Sequence, residues 1–153
     1  MVLEWTNRKK IRNFEGKMNL FLMGFFLVGL FPSTGWTEEF AYVSFADLNS
    51  MIQSKAPAIV IVDTQPAQAY EKGHIKGAIN IHYDVTSDPM QRQMMLIALP
   101  MDKMIVTYCD CTDDANSANV VQELYDLGYD LSSLRVLSGG SLRWVELKYP
   151  LEK

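Results

Sequence analysis

Two uninterrupted apolar runs, rich in β-branched residues, stand out along the chain. Ala58-Ile59-Val60-Ile61-Val62 ends at Asp63, and Met104-Ile105-Val106-Thr107-Tyr108 ends at Cys109. Short runs without polar alternation predict strands buried on both faces. Ser44, with Asp47 three residues on, predicts a helix start and a helix over residues 45–53. Residues 66–71 form a short helix with proline in its first turn, stopped by Gly73. Residues 78–81 predict another strand, and the Met- and Leu-rich residues 89–99 a helix. A helix over 117–127 closes at Gly128, a strand follows at 134–137, Gly139-Gly140 makes a turn, and 142–147 is the last helix. Strands alternating with helices predict an α/β fold, a parallel sheet with helices on both faces. Sites in such sheets form beyond the carboxyl ends of strands. Cys109 stands at one of those ends.

The first 36 residues have a different pattern. Arg8, Lys9, Lys10, Arg12 and Lys17 precede an apolar stretch from Leu20 to Phe31, and Pro32-Ser33-Thr34-Gly35 follows with small, helix-breaking residues. A basic region, an apolar stretch and a small-residue boundary predict a secretory signal peptide. The stretch is shorter than the ~20 residues of a membrane span. Extended to Trp36, it is an uncleaved inner-membrane anchor in the alternative reading. Residues 1–36 are therefore assigned to export into the periplasm and residues 40–153 to one domain. Five of the 14 basic and two of the 18 acidic residues lie in the N-terminal segment, which leaves nine basic against 16 acidic residues and a net charge of −7. A domain so acidic repels phosphate backbones, which argues against nucleic acid as a partner. Membrane contact is expected only if the N-terminal segment is retained.

Candidate chemistry centres on the only two cysteines, Cys109 and Cys111. Two thiols do not make a disulfide framework for an exported domain, and a bridge between residues i and i+2 rarely reaches good geometry. Cys109 opens the polar loop Asp110-Cys111-Thr112-Asp113-Asp114-Ala115-Asn116, and a helical pattern begins at Ser117. Backbone N–H groups of such a loop can form an anion nest, and a helix N-terminus adds partial positive charge. Both favour the thiolate, the reactive form. Cys109 is thus preferred as a nucleophile over an inert buried thiol. Cys111 stays open as bystander, resolving thiol or nucleophile. The cradle comprises Asp110, Thr112, Asp113, Asp114, Ala115, Asn116 and Ser117, with Asn116 and Ser117 also the natural helix caps. No metal or organic cofactor is expected.

The motifs Asp63, Gly73-His74-Ile75-Lys76-Gly77-Ala78-Ile79-Asn80, Val106-Thr107-Tyr108-Cys109 and Leu137-Ser138-Gly139-Gly140 with Trp144, in this order, resemble the rhodanese-like (sulfurtransferase) domain. The resemblance runs from about Tyr42 to Pro150 and is nearest to single-domain, exported members with a Tyr-Cys-x-Cys loop. It implies a five-stranded parallel sheet flanked by helices. It also implies one cysteine that takes a sulfane sulfur as a persulfide and passes it to a thiophilic acceptor. The loop departs from the family pattern. Counted from the strand, Cys109 is the nucleophile and the loop is two residues longer than usual. Counted back from Ser117-Ala118, Cys111 takes that slot and Asn116 replaces the family arginine. Gln65 likewise stands where an arginine often follows the strand-end aspartate.

Nearby carboxylates raise a thiol pKa and repel anionic donors, so a thiol persulfide is a better donor than thiosulfate, with a thiol or a protein as acceptor. The expected function is sulfur transfer through a Cys109 persulfide. The alternatives are a non-catalytic binding module of the same fold and a Cys-x-Cys dithiol redox protein. Phosphatase or arsenate-reductase chemistry is disfavoured without an arginine to hold a tetrahedral oxyanion. His74 in its tight turn is read as a hydrogen-bonded structural residue, and Asp63 as an anchor for a neighbouring loop. His82 is read as plain surface. Trp144 and the methionines between Met90 and Met101 are read as packing residues, the methionines alternatively as an adaptable contact surface.

Overall fold

The structure, a computed structural model, describes residues 40–54, 59–86 and 88–153. The proposed signal peptide or anchor at 1–36 lies outside the described residues. Among the described residues no helix is long and apolar enough to cross a membrane.

The elements run β1 (Tyr42–Val43), α1 (Phe45–Gln53), β2 (Ile59–Asp63), α2 (Ala67–Lys72), β3 (His74–Ile75), β4 (Ala78–Asn80), α3 (Pro89–Ile97), β5 (Met104–Tyr108), α4 (Ala115–Asp126), β6 (Leu134–Leu137), α5 (Gly140–Glu146) and β7 (Leu151–Glu152), with a 3-10 turn at Leu131–Ser133 before β6. Five strands form a sheet in the order β1-β6-β5-β2-β4, every pair parallel. The two apolar runs, β2 and β5, pair along their whole length at its centre, Asp63 opposite Tyr108.

Successive side chains of a strand point to opposite faces, so these continuous runs feed two cores. Val62, Ile105 and Val136 join Leu96 of α3 and Val120, Val121 and Leu124 of α4 on one face. Ile61, Val106 and Leu137 join Leu48 of α1 and Trp144 of α5 on the other. α1 starts as its sequence demands, with the Ser44 side chain accepting the Asp47 N–H. A second, two-stranded sheet pairs β3 with β7 antiparallel, and the pattern gives no sign of it.

α3 corrects one expectation. Its buried residues are Arg92 and Leu96, while Met90, Met94, Met95 and the nearby Met101 are exposed, so these methionines are not core packing. The inward place is taken by Arg92, whose guanidinium grips both carboxylate oxygens of Glu123 in α4 at 2.7 and 2.8 Å and lies 4.7 Å from the Tyr83 ring centre. A paired, stacked guanidinium can be buried at a helix contact that a thioether would otherwise fill.

Candidate active site

β5 delivers Cys109 to the carboxyl edge of the sheet, where it is fully buried. Its carbonyl accepts the Ser141 N–H at 2.9 Å, and the Ser141 hydroxyl lies 3.4 Å from the same oxygen. Gly140 packs so tightly on this carbonyl that a Cβ there would overlap its oxygen, and its φ is +49°. Only glycine meets both conditions. The Gly139-Gly140 turn is therefore the socket into which the cysteine backbone is set.

The two thiols are joined. Against the expectation that i and i+2 rarely meet, Cys109 and Cys111 form a disulfide with Cα atoms 5.4 Å apart. Extended chain would hold them about 6.6 Å apart. The turn at the end of β5 shortens this to a spacing usual for bridged cysteines. The Cys111 carbonyl oxygen lies 3.8 Å from the Cys109 sulfur. Cys111 is half-buried between exposed Asp110 and Thr112, so the bridge has a buried end and an accessible end.

α4 begins at Ala115, two residues earlier than the pattern predicts, because Asp114 precedes it in a left-handed conformation with φ 55°. Asp114 is buried, and both its carboxylate oxygens accept the Gly139 N–H at 3.0 Å. That bond ties the cysteine loop to the glycine turn. Ser117 and Asn116 therefore lie inside the first turn of α4 and do not cap it. The Ser117 hydroxyl, fully buried, donates to the Asp114 carbonyl at 2.8 Å and lies 3.6 Å from the Cys109 sulfur. Asp113 turns its carboxylate to the Ala115 N–H at 3.2 Å. Asp110, Thr112, Asp113 and Ala115 are exposed, and Asn116 is half-buried.

Beneath the loop lies a buried polar network on the end of β2. The Asp63 carboxylate accepts the Tyr108 hydroxyl at 2.6 Å and the Gln65 N–H at 2.8 Å. The Gln65 side-chain amide spans to Asp63 at 3.4 Å and to the Ser141 hydroxyl at 3.1 Å. Gln65 thus links the aspartate to the socket as a neutral donor. Tyr108 accepts the Ile75 N–H at 3.0 Å, which reaches into β3. Burial pushes the Asp63 carboxyl above its ordinary pKa against the Tyr108 and Gln65 hydrogen bonds. Burial and the adjacent carboxylate push the Tyr108 hydroxyl far above its own.

His74 stays apart from the sulfur pair. Its ring stacks on Tyr70 with centroids 3.8 Å apart, and its Nδ1 lies 3.0 Å from the Tyr70 carbonyl oxygen. Trp144 fills the core, its indole N–H donating to the Pro150 carbonyl at 3.0 Å. His82 is exposed and lines a shallow hollow of about 250 Å³ with Asp88, Arg92 and Met95. The structure thus gathers Cys109, Cys111, Asp114, Ser117, Gly139 and Gly140 at one place. Sequence reasoning misses Ser141 and the Tyr108 hydroxyl. The signal for Tyr108 is a polar-tipped ring ending a buried run, which needs a partner.

The model of the rhodanese-like domain family matches residues 44–147, well over half of the 153-residue chain. The chain belongs to the rhodanese-like family. A Bacillus halodurans protein of known structure shares the fold of this rhodanese-like domain at 25% identity and TM-score 0.61, with 73% of this chain and 76% of that one aligned. The rhodanese-related protein of Thermoplasma volcanium aligns at 25% identity and TM-score 0.57 over 74% of this chain and 98% of its own. The As-Sb reductase of Leishmania major, 16% identical with TM-score 0.57 over 71% and 79% of the two chains, shares the fold alone. Among curated proteins, the tRNA uridine(34) hydroxylases of Salmonella arizonae and Erwinia tasmaniensis are 28% and 33% identical to the rhodanese-like domain over 78 and 69 residues. Those stretches cover 51% and 45% of this chain, and the chain spans only about a fifth of the length of these relatives, 22% and 19%.

Proposed function

We propose that this rhodanese-like domain is a sulfurtransferase that carries sulfane sulfur as a persulfide on Cys109. The observation that supports it best is the placing of a buried sulfur at the end of β5, 3.6 Å from the Ser117 hydroxyl in the first turn of the 12-residue helix α4. A thiolate there gains from the helix dipole and from a hydroxyl able to turn toward it. It attacks the outer sulfur of a donor, the donor's remainder leaves, and the persulfide then passes that sulfur to a thiol acceptor. The disulfide is the oxidised form, and the reduced form is the one that acts.

The loop chemistry favours a thiol persulfide over thiosulfate. Asn116 offers no positive charge, Asp110 and Asp113 are exposed on the rim, and a dianionic donor meets like charge there. We place the domain in the periplasm, delivered or anchored by the basic and apolar N-terminal segment, with a protein or small-molecule thiol as acceptor.

The test is intact-mass measurement of the full chain after reduction and exposure to glutathione persulfide, with Cys111→Ser and Cys109→Ser chains in parallel. Cys111→Ser is expected to gain one sulfur and to lose it to an added thiol or to cyanide. Cys109→Ser is expected to gain none. Uptake by neither variant would exclude the sulfurtransferase. A second reading, dithiol redox exchange, draws on the disulfide itself, and it predicts reversible oxidation of the wild type with no sulfur uptake by Cys111→Ser.

A further inference from the structure

Cys111 has no task in a simple transfer through Cys109, yet it is the atom's nearest reactive neighbour. We infer that Cys111 is a resolving thiol that reduces the Cys109 persulfide and releases its sulfur as sulfide. The inference rests on the Cys109 assignment above and adds a second activity, persulfide reduction.

Four features support it. The inner sulfur of a Cys109 persulfide is the Cys109 Sγ, the atom to which Cys111 is already bonded in the structure. The backbone that carries it is held by the Ser141 N–H and by the close fit of Gly140. The Cα separation of 5.4 Å lies in the range that suits a bridge between the two residues. Finally, the two residues differ in burial: Cys109 is fully buried, whereas Cys111 is half-buried between exposed neighbours.

The chemistry balances in two steps. The Cys111 thiolate attacks the Cys109 Sγ, and the Cys109–Cys111 bond forms as the bond to the outer sulfur breaks. That outer sulfur leaves with the bonding pair as hydrosulfide. It has been reduced by two electrons, and the two protein thiols have been oxidised to the disulfide seen here. A dithiol reductant, small or protein-borne, then resets the pair. Its first thiolate attacks the sulfur of half-buried Cys111, and Cys109 leaves as a thiolate beside the Ser117 hydroxyl. Its second thiolate displaces Cys111, leaving both protein thiols reduced and the reductant oxidised. An intramolecular thiol outcompetes dilute external acceptors through its effective concentration. Sulfide is therefore released even where no acceptor is supplied.

The full chain, reduced and freed of reductant, is given one equivalent of glutathione persulfide, desalted at once, and followed for sulfide and intact mass. The wild type is expected to release about one sulfide per chain and to end as the disulfide. Cys111→Ser should keep the added sulfur and release sulfide about tenfold more slowly, and Cys111→Ala, at the same half-buried position, should behave alike. A wild-type chain that keeps its persulfide beside a free Cys111 thiol overturns the resolving role and leaves the Cys109 carrier standing. Failure of both Cys111 variants to take up sulfur removes the carrier itself, and the resolving role with it.

Discussion

The ends of β2 and β5 lie side by side, Asp63 opposite Tyr108, and are built in opposite ways. At the end of β2 the carboxylate is fully buried, and its two oxygens take a hydroxyl and a backbone N–H. Asn80 closes the same turn, its amide donating to the carbonyls of Asp63 at 3.0 Å and Gln65 at 2.8 Å. At the end of β5 the chain leaves the sheet at once into a loop with exposed carboxylates and a sulfur pair reachable from one side. One strand end spends its polar groups on holding its neighbours, the other leaves a reactive group poised. The difference teaches that the reactive segment draws part of its support from the inert one. The contacts run from Gln65 to Ser141 and on to the Cys109 carbonyl, from Tyr108 to Asp63, and from the Thr64 N–H and hydroxyl to the Tyr108 carbonyl.

The contrast can be broken hardest at the socket. Gly140→Ala must move either the turn or the Cys109 carbonyl, and is expected to lower stability by about 3 kcal/mol in urea unfolding. Next is the bond that joins the two strand ends. Tyr108→Phe leaves a buried carboxylate and the Ile75 N–H short of a partner, at about 2 kcal/mol by the same measurement.

A third test uses pH. Burial raises the Asp63 pKa on folding, so the native state binds its proton more tightly than the unfolded chain does. Its contribution to stability is then greatest below the unfolded carboxylate range and falls as pH rises toward the folded pKa, levelling above it. Asp63→Asn removes this slope. The wild-type-minus-variant stability, followed by thermal unfolding across acidic pH, should decline with rising pH. A difference that rises instead would mean that the hydrogen bonds from Tyr108 and Gln65 outweigh burial. The smallest effect sharpens the reactive end alone. Ser117→Ala removes a hydroxyl 3.6 Å from the sulfur and should slow alkylation of Cys109 by about fivefold at neutral pH in the Cys111→Ser background.

What the chain reveals by its pattern divides along the same line. β5 and β6 have the bounds that their apolar runs predict, because local burial alone sets them. The start of α4 is displaced by two residues because the left-handed Asp114 is held by Gly139, 25 residues away, and no local signal reports such a bond. The β3–β7 pair is hidden for the same reason, since it joins residues 74–75 to 151–152 in strands too short to show alternation. The methionines mislead because α3 turns a guanidinium inward, and its pairing with Glu123 is visible only in three dimensions. Cys109, the glycine pair and Asp63 stand out in the sequence because each ends or closely follows an apolar run. The closing of the cysteine bridge is not legible, because it depends on how sharply the loop turns.

The outermost strands of the main sheet, β1 and β4, contain two and three residues, against five in each of the central strands β2 and β5. An open sheet rim is a template on which another chain can stack its own backbone. Here each rim offers only a few unpaired amides, too short a ladder to seed growth in register. Brevity at the margins is thus a safeguard against fibrous assembly, obtained by shortening strands that do not carry the cysteine.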